Sequence, residues 1–318
     1  MTKNNVLKGV FLVGLGATSY GMLATFVKMA YGEGYTTAEV TCSQFLFGII
    51  GILLINAFQR NRNSNTAVKA TKKNITQLMT AGTSTGLTSI FYYLAVKFDI
   101  PVSIAIVLLM QTVWIGVLLE MFLEKKLPST IKIIAVAIVL IGTILATNLI
   151  NSSVELNPLG LFFGMLAAVS FTTTMFTANR IATEISSAQR SLYMLLGGGI
   201  MVLLFALITQ IIPNQSASFN EALGVFSTAK DFDFNIFLKW GIVLSLFGTI
   251  IPPMLLNAGF PLTGIGLGSI VSSLELPVSV LMAYFLLHEQ VLLIQWIGII
   301  LIIMAIVIMN VNFKKKAA

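Results

Sequence analysis

The chain has 318 residues, 57% of them hydrophobic and only 10% charged, with a mean hydropathy of +0.93 and a formal net charge of +7. Soluble domains carry about 25% charged residues, so most of this exterior must face lipid, and the length leaves room for roughly ten helices of about 20 residues across a hydrocarbon core of about 30 Å. One cysteine (Cys42) excludes an intrachain disulfide, one histidine (His288) excludes the usual zinc cage, and in a polytopic chain the basic excess reads as topology and not as nucleic-acid binding.

Apolar runs bounded by charge, proline or asparagine predict spans at 7–29, 36–58, 75–97, 100–123, 128–149, 158–179, 188–212, 236–259, 262–286 and 290–311. The first follows Lys3 and Lys8 but is longer than a signal-peptide core, so it is read as retained. With a cytoplasmic N-terminus, fifteen of the 19 Lys and Arg residues, Arg180 and Arg190 among them, fall inside, and only Lys28, Lys97, Lys230 and Lys239 fall outside. The positive-inside rule then puts both termini in the cytoplasm and requires an even number of spans. Residues 59–74 read as a basic loop near anionic headgroups. Residues 213–235 read best as an external loop, with an interfacial helix around Phe219–Phe226 or a lid as alternatives.

Residues 1–150 slide over 151–318 in one register that pairs Gly9 with Gly160, Phe11 with Phe162, Ala17 with Ala168, Ser19 with Ser170 and Tyr20 with Phe171. Further on, Tyr92-Tyr93-Leu94-Ala95 pairs with Leu255-Leu256-Asn257-Ala258, and Glu124 with Glu289. Five helices per half is an odd number, so the second copy enters the membrane from the opposite side, as in transporters built from inverted repeats. The expected fold is an all-α membrane protein of ten transmembrane helices in two inverted five-helix repeats, 1–150 and 151–318.

Tyr92-Tyr93-Leu94-Ala95-Val96-Lys97 leading to Leu123-Glu124, and Glu275-Leu276-Pro277-Val278 followed by Glu289 and Gln295-Trp296-Ile297-Gly298, resemble the drug/metabolite transporter superfamily, specifically bacterial proteins with two EamA domains. The resemblance covers nearly the whole chain. It implies an exporter or exchanger of amino acids, metabolites or drugs in the bacterial inner membrane, with a central cavity between the halves. Two departures stand out: Thr112 replaces the expected proline of span four, and the approach from Ala258 to Pro277 is two residues longer than that from Ala95 to Thr112.

Glu275 is the most informative residue, because a carboxyl in mid-span costs about 2.5–3.5 kcal/mol and must face the bundle interior or a cavity. It is read as a proton-coupling group or a partner for a substrate ammonium, with a neutral, hydrogen-bonded structural acid as the alternative. Ser19, Tyr20, Tyr92, Gln111, Trp114, Asn257, Ser272 and Ser273 are candidates for completing the pocket, with Tyr92 weakened more than Trp114 by its place near a span end. Glu120 is expected to reach towards Lys125 or water, and Glu124 and Glu289 to favour helix N-termini. Pro252, Pro253 and Pro277 are expected to bend their helices. The chain has no GxxxxGK[ST] loop and no HExxH, which argues against ATP-driven pumping and membrane metalloprotease chemistry. The sequence therefore points to a secondary transporter, without cofactor or metal, whose partners are a small-molecule substrate, the bilayer and protons. Passive facilitation of the same substrates and a membrane enzyme acting on lipid are the alternatives.

Overall fold

A computed structural model describes residues 3–62, 70–98, 100, 102–147, 157–228, 230–288 and 290–316. The helices are α1 (Lys3–Gly32), α2 (Thr37–Arg62), α3 (Lys72–Lys97), α4 (Val102–Leu109), α5 (Thr112–Glu124), α6 (Thr130–Ala146), α7 (Pro158–Arg180), α8 (Ser187–Gln215), α9 (Ala217–Leu223), α10 (Phe237–Thr263), α11 (Ile265–Ser272), α12 (Glu275–Leu286) and α13 (Leu293–Lys316). Among the described residues, seven helical stretches are long and apolar enough to cross a membrane, while α6 and Leu293–Met309 are apolar but shorter. The long helix α3 is rich in Ser and Thr, whose hydroxyls bond to carbonyls one turn back, as Thr88 does to Ser84 and Thr76 to Lys72. Phe11, Leu54, Phe122, Phe162 and Ile300 are each more than half exposed, an exterior that lipid covers.

The spans expected at 100–123 and 262–286 are each broken in two. At the first break Gln111 N–H donates to Leu108 and Val113 N–H to Met110; at the second Ser273 N–H donates to Ile270 and Leu276 N–H to Ser273. These tightened turns keep the backbone paired, which a helix interruption in an apolar setting requires. Thr112 begins α5 and Glu275 begins α12 at the offset that also pairs Ala95 with Ala258, so Thr112 corresponds to Glu275 and the two-residue lengthening towards Pro277 disappears. Lys125 and His288, with φ of 51° and 53°, follow α5 and α12 at that same offset. Glu124 therefore pairs with Leu287; Glu289 lies outside the described residues. Glu124 also ends α5 instead of starting the next helix. Pro277 sits in the first turn of α12, where its missing N–H costs little, so it does not bend a span. Pro252 and Pro253 follow a π-helical turn, Leu246–Ile250, inside α10.

Contacts repeat with the sequence. Gly9 of α1 abuts Gly259, Leu262 and Thr263 of α10, whereas Gly160 of α7 abuts Ala95, Phe98 and Ile100 at the end of α3. Gly86 of α3 lies against Gly198 of α8 as Thr249 of α10 lies against Gly48 of α2. α6 packs on α13 through Gly142 and Gly298. Among the described residues of 213–235, α9 and the 3₁₀ turn Gly224–Phe226 occupy the place of the alternative interfacial helix. Lys97 fastens this stretch by donating to the Phe226 and Ser227 carbonyls and the Thr228 hydroxyl. Buried Glu39 fastens its far end, accepting from Thr36 N–H at 2.7 Å, Asp233 N–H at 2.8 Å and the Gln210 amide at 2.9 Å.

A side chain at Gly82 would collide with the Met194 backbone of α8. Gly82→Val is expected to destabilise the bundle by about 2 kcal/mol or more, seen as a lower apparent melting temperature of the detergent-purified protein, whereas Gly32→Ala, which meets nothing within 4 Å, leaves it unchanged.

Candidate functional site

A cavity of about 70 Å³ lies among α1, α2, α3, α4, α7, α10 and α12. Glu275, as the first residue of α12, has its carboxylate beside the positive end of that helix. Gly21 lets α1 approach the same turn: a Cβ there would lie 2.5 Å from the Glu275 carbonyl oxygen. The Glu275 side chain is 8% exposed, lines the cavity, and makes no hydrogen bond or ion pair among the described residues. Its counterpart Thr112 is closed off, bonded to Thr172 at 2.8 Å and to the Met175 sulfur at 3.6 Å.

Of the residues expected at the site, the structure brings Glu275, Tyr20 and Tyr92 together in this cavity. The Tyr92 hydroxyl is buried without a partner, so Tyr92 is a wall of the pocket and not an interfacial anchor. Asn257 lines a smaller adjoining cavity beside Tyr20 and Phe171 and donates to the Ser191 hydroxyl at 2.9 Å. The other five lie outside the central cavity. Ser19 donates to the Phe247 carbonyl, Ser272 to Gly268 and Ser273 to Ile270, the ordinary fate of hydroxyls on apolar helices. Trp114 donates its ring N–H to the Gln111 side-chain oxygen Oε1 at 2.8 Å, and the Gln111 side-chain N–H turns back to the Val107 carbonyl, so this pair satisfies itself at the helix break.

The sequence reading missed Gln44, Thr85 and Tyr93, which also line the cavity. Tyr93 donates to the Gln44 side-chain oxygen Oε1 at 3.1 Å, and the Thr85 hydroxyl is buried without a partner among the described residues. A glutamine inside the apolar run of α2 was a legible signal, of the same kind as Glu275.

Two charged residues make contacts that the sequence did not show. Arg190, counted above only among the inside cations, is 1% exposed and donates to the carbonyls of Ile181 (3.1 Å), Thr177 (3.1 Å), Ala178 (2.5 Å) and Asn257 (2.5 Å). Three of these acceptors belong to the end of α7, where the helix dipole and the unpaired carbonyls favour a cation. The guanidinium thus ties α7, α8 and α10 together. Glu120 pairs not with Lys125 but with Lys132 of α6, and accepts from Gly266 N–H of α11 at 3.2 Å.

The EamA-like transporter family model matches residues 7–148 and 158–311, nearly the whole chain, and the chain belongs to that family. It is a membrane transporter of the drug/metabolite transporter type. No curated protein matches it. Among solved structures, one described only as "Crystal structure of protein" superposes with a TM-score of 0.71 over 97% of this chain and 96% of the other at 14% identity, a likeness of fold.

Lysine cannot reproduce the Arg190 fork. Arg190→Lys is expected to strand at least one buried carbonyl and cost about 1–3 kcal/mol, measured as a fall in apparent melting temperature with the cavity residues unchanged.

Proposed function

We propose that the protein is a secondary transporter of ten membrane crossings, in which residues 1–150 and 151–318 form two oppositely inserted five-helix halves that export a small organic metabolite by alternating access. The observation that carries this reading is that equivalent positions are packed at one end of the bundle and parted at the other. At the first end α5 meets α11: Gly116 abuts Ser269, the Ser269 hydroxyl donates to the Val113 carbonyl at 3.2 Å, and the Glu120–Lys132 pair with Gly266 N–H closes the gap. At the second end a cavity of about 370 Å³ separates Ile106 of α4 from Leu276, Ser279 and Ala283 of α12. By the shared offset, Ile106 is the counterpart of Ser269, Ser279 of Gly116, Ala283 of Glu120, and Gln295 of Lys132.

The helix α6 spans both ends, with Lys132 in its first turn at the closed one and Ala146 and Thr147 at the open one. Gly9 of α1 lies against Leu262 and Thr263, next to the closed end, and α13 starts at the open one, where Gln295 donates to the Ala146 carbonyl, which supports both termini being on the closed side. The positive-inside rule makes that end cytoplasmic, and the described state outward-facing. Exchange of the two halves' conformations would open the inner end and close the outer. Glu275, beside both the central cavity and α12's open face, is the group that carries a coupled proton.

In proteoliposomes, the unaltered protein is expected to accumulate substrate in response to an imposed pH gradient, and Glu275→Gln to lose that response while retaining counterflow. Equal gradient responses would remove Glu275 from coupling and leave facilitated diffusion.

A further inference from the structure

We infer that the central cavity takes a monovalent organic cation, an amine or quaternary ammonium carried on a compact apolar or aromatic body. The inference rests on the cavity being the transport site and names its substrate class. Its lining holds one ionisable acid, Glu275, and no lysine, arginine or histidine. An anionic substrate would thus meet a carboxylate and no countercharge. At the nearby helix break the Leu276 N–H is spent on Ser273 and the Val278 N–H on Leu274, and the positive end of α12 is already faced by the Glu275 carboxylate. A free amino acid would leave its carboxylate unpaired in an apolar cavity, a costly arrangement.

The remaining wall fits a cation. Tyr20, Phe45, Tyr92, Tyr93 and Phe171 surround the space, with Tyr20 edge-on to Phe171 at 5.9 Å and Tyr92 edge-on to Tyr93 at 5.7 Å. Aromatic faces attract ammonium groups that have lost their water. The unpartnered hydroxyls of Tyr92 and Thr85 supply hydrogen-bond sites beside the charge. Leu23, Val27 and Leu109 supply the apolar remainder. A carboxylate that binds either a proton or an ammonium couples the two by competition, so the cation and the proton would exchange across the membrane in opposite directions.

The test uses the purified full-length protein and three probes of similar size: 2-phenylethylamine, 2-phenylethanol and 3-phenylpropionate. The amine is expected to raise the apparent melting temperature at concentrations about tenfold lower than either analogue, the effect of one favourable charge contact. Glu275→Gln is expected to erase the amine's advantage, and Tyr92→Phe to weaken it by a few-fold. Stabilisation by 3-phenylpropionate equal to that by the amine, or no stabilisation by the amine, overturns the inference; so does undiminished amine binding in a well-folded Glu275→Gln protein. Should that variant fail to fold, the three-probe comparison on the unaltered chain decides alone. Amine binding without counterflow in proteoliposomes supports the site while removing the transport reading. Counterflow of 3-phenylpropionate but not of the amine overturns the site while leaving transport standing.

Discussion

A carboxylate buried in an apolar bundle must find a proton, a countercharge or water, and Glu275 has no described protein group to supply any of them. The surrounding architecture follows from that constraint. The break before Glu275 turns the start of α12 into a helix N-terminus, which favours negative charge, and Gly21 admits α1 close enough to hold the turn. The aromatic residues of α1, α3 and α7 then close the space in front of the acid. The first half spends the same position on Thr112, which bonds to Thr172. One half thus supplies a reactive group and the other a packed joint.

That difference in chemistry sits within a shared geometry. Glycine contacts, helix breaks and left-handed helix ends recur at constant offsets, so the two halves make reciprocal contacts with each other. Against this regularity the departures stand out. Gly116, Ser269, Glu120 and Lys132 close one end, while Ser279, Ile106, Ala283 and Gln295 border open space at the other. The closing pair is partly exposed, so it is a weak tie, suited to being broken and remade. Arg190, buried and bonded to four carbonyls, is a permanent one.

Most of the rods were legible in the sequence, because a 20-residue apolar run has few other uses. The interruptions at Met110–Gln111 and Ser273–Leu274 were not, since the polar residues there, Gln111 and Thr112 in one half and Ser272, Ser273 and Glu275 in the other, also occur inside continuous membrane helices. Glu275 was legible because charge in mid-span is costly. The part Arg190 plays was not legible, because only the folded chain brings the end of α7 to it. Tyr92 and Trp114 exchanged roles for a local reason: Trp114 has Gln111 three residues back to take its N–H, whereas Tyr92 lines the cavity with its hydroxyl buried and without a partner among the described residues.

The central claim is that two equivalent surfaces open in turn, and cysteine accessibility reads this directly. In a Cys42→Ala background reconstituted in liposomes, Ser269→Cys and Ser279→Cys are labelled separately with a membrane-impermeant maleimide added to both sides. The account predicts that position 279 reacts and position 269 is protected at rest, and that conditions driving turnover lower the first rate as they raise the second. Rates that rise together, or that stay fixed under every gradient and solute, would contradict it.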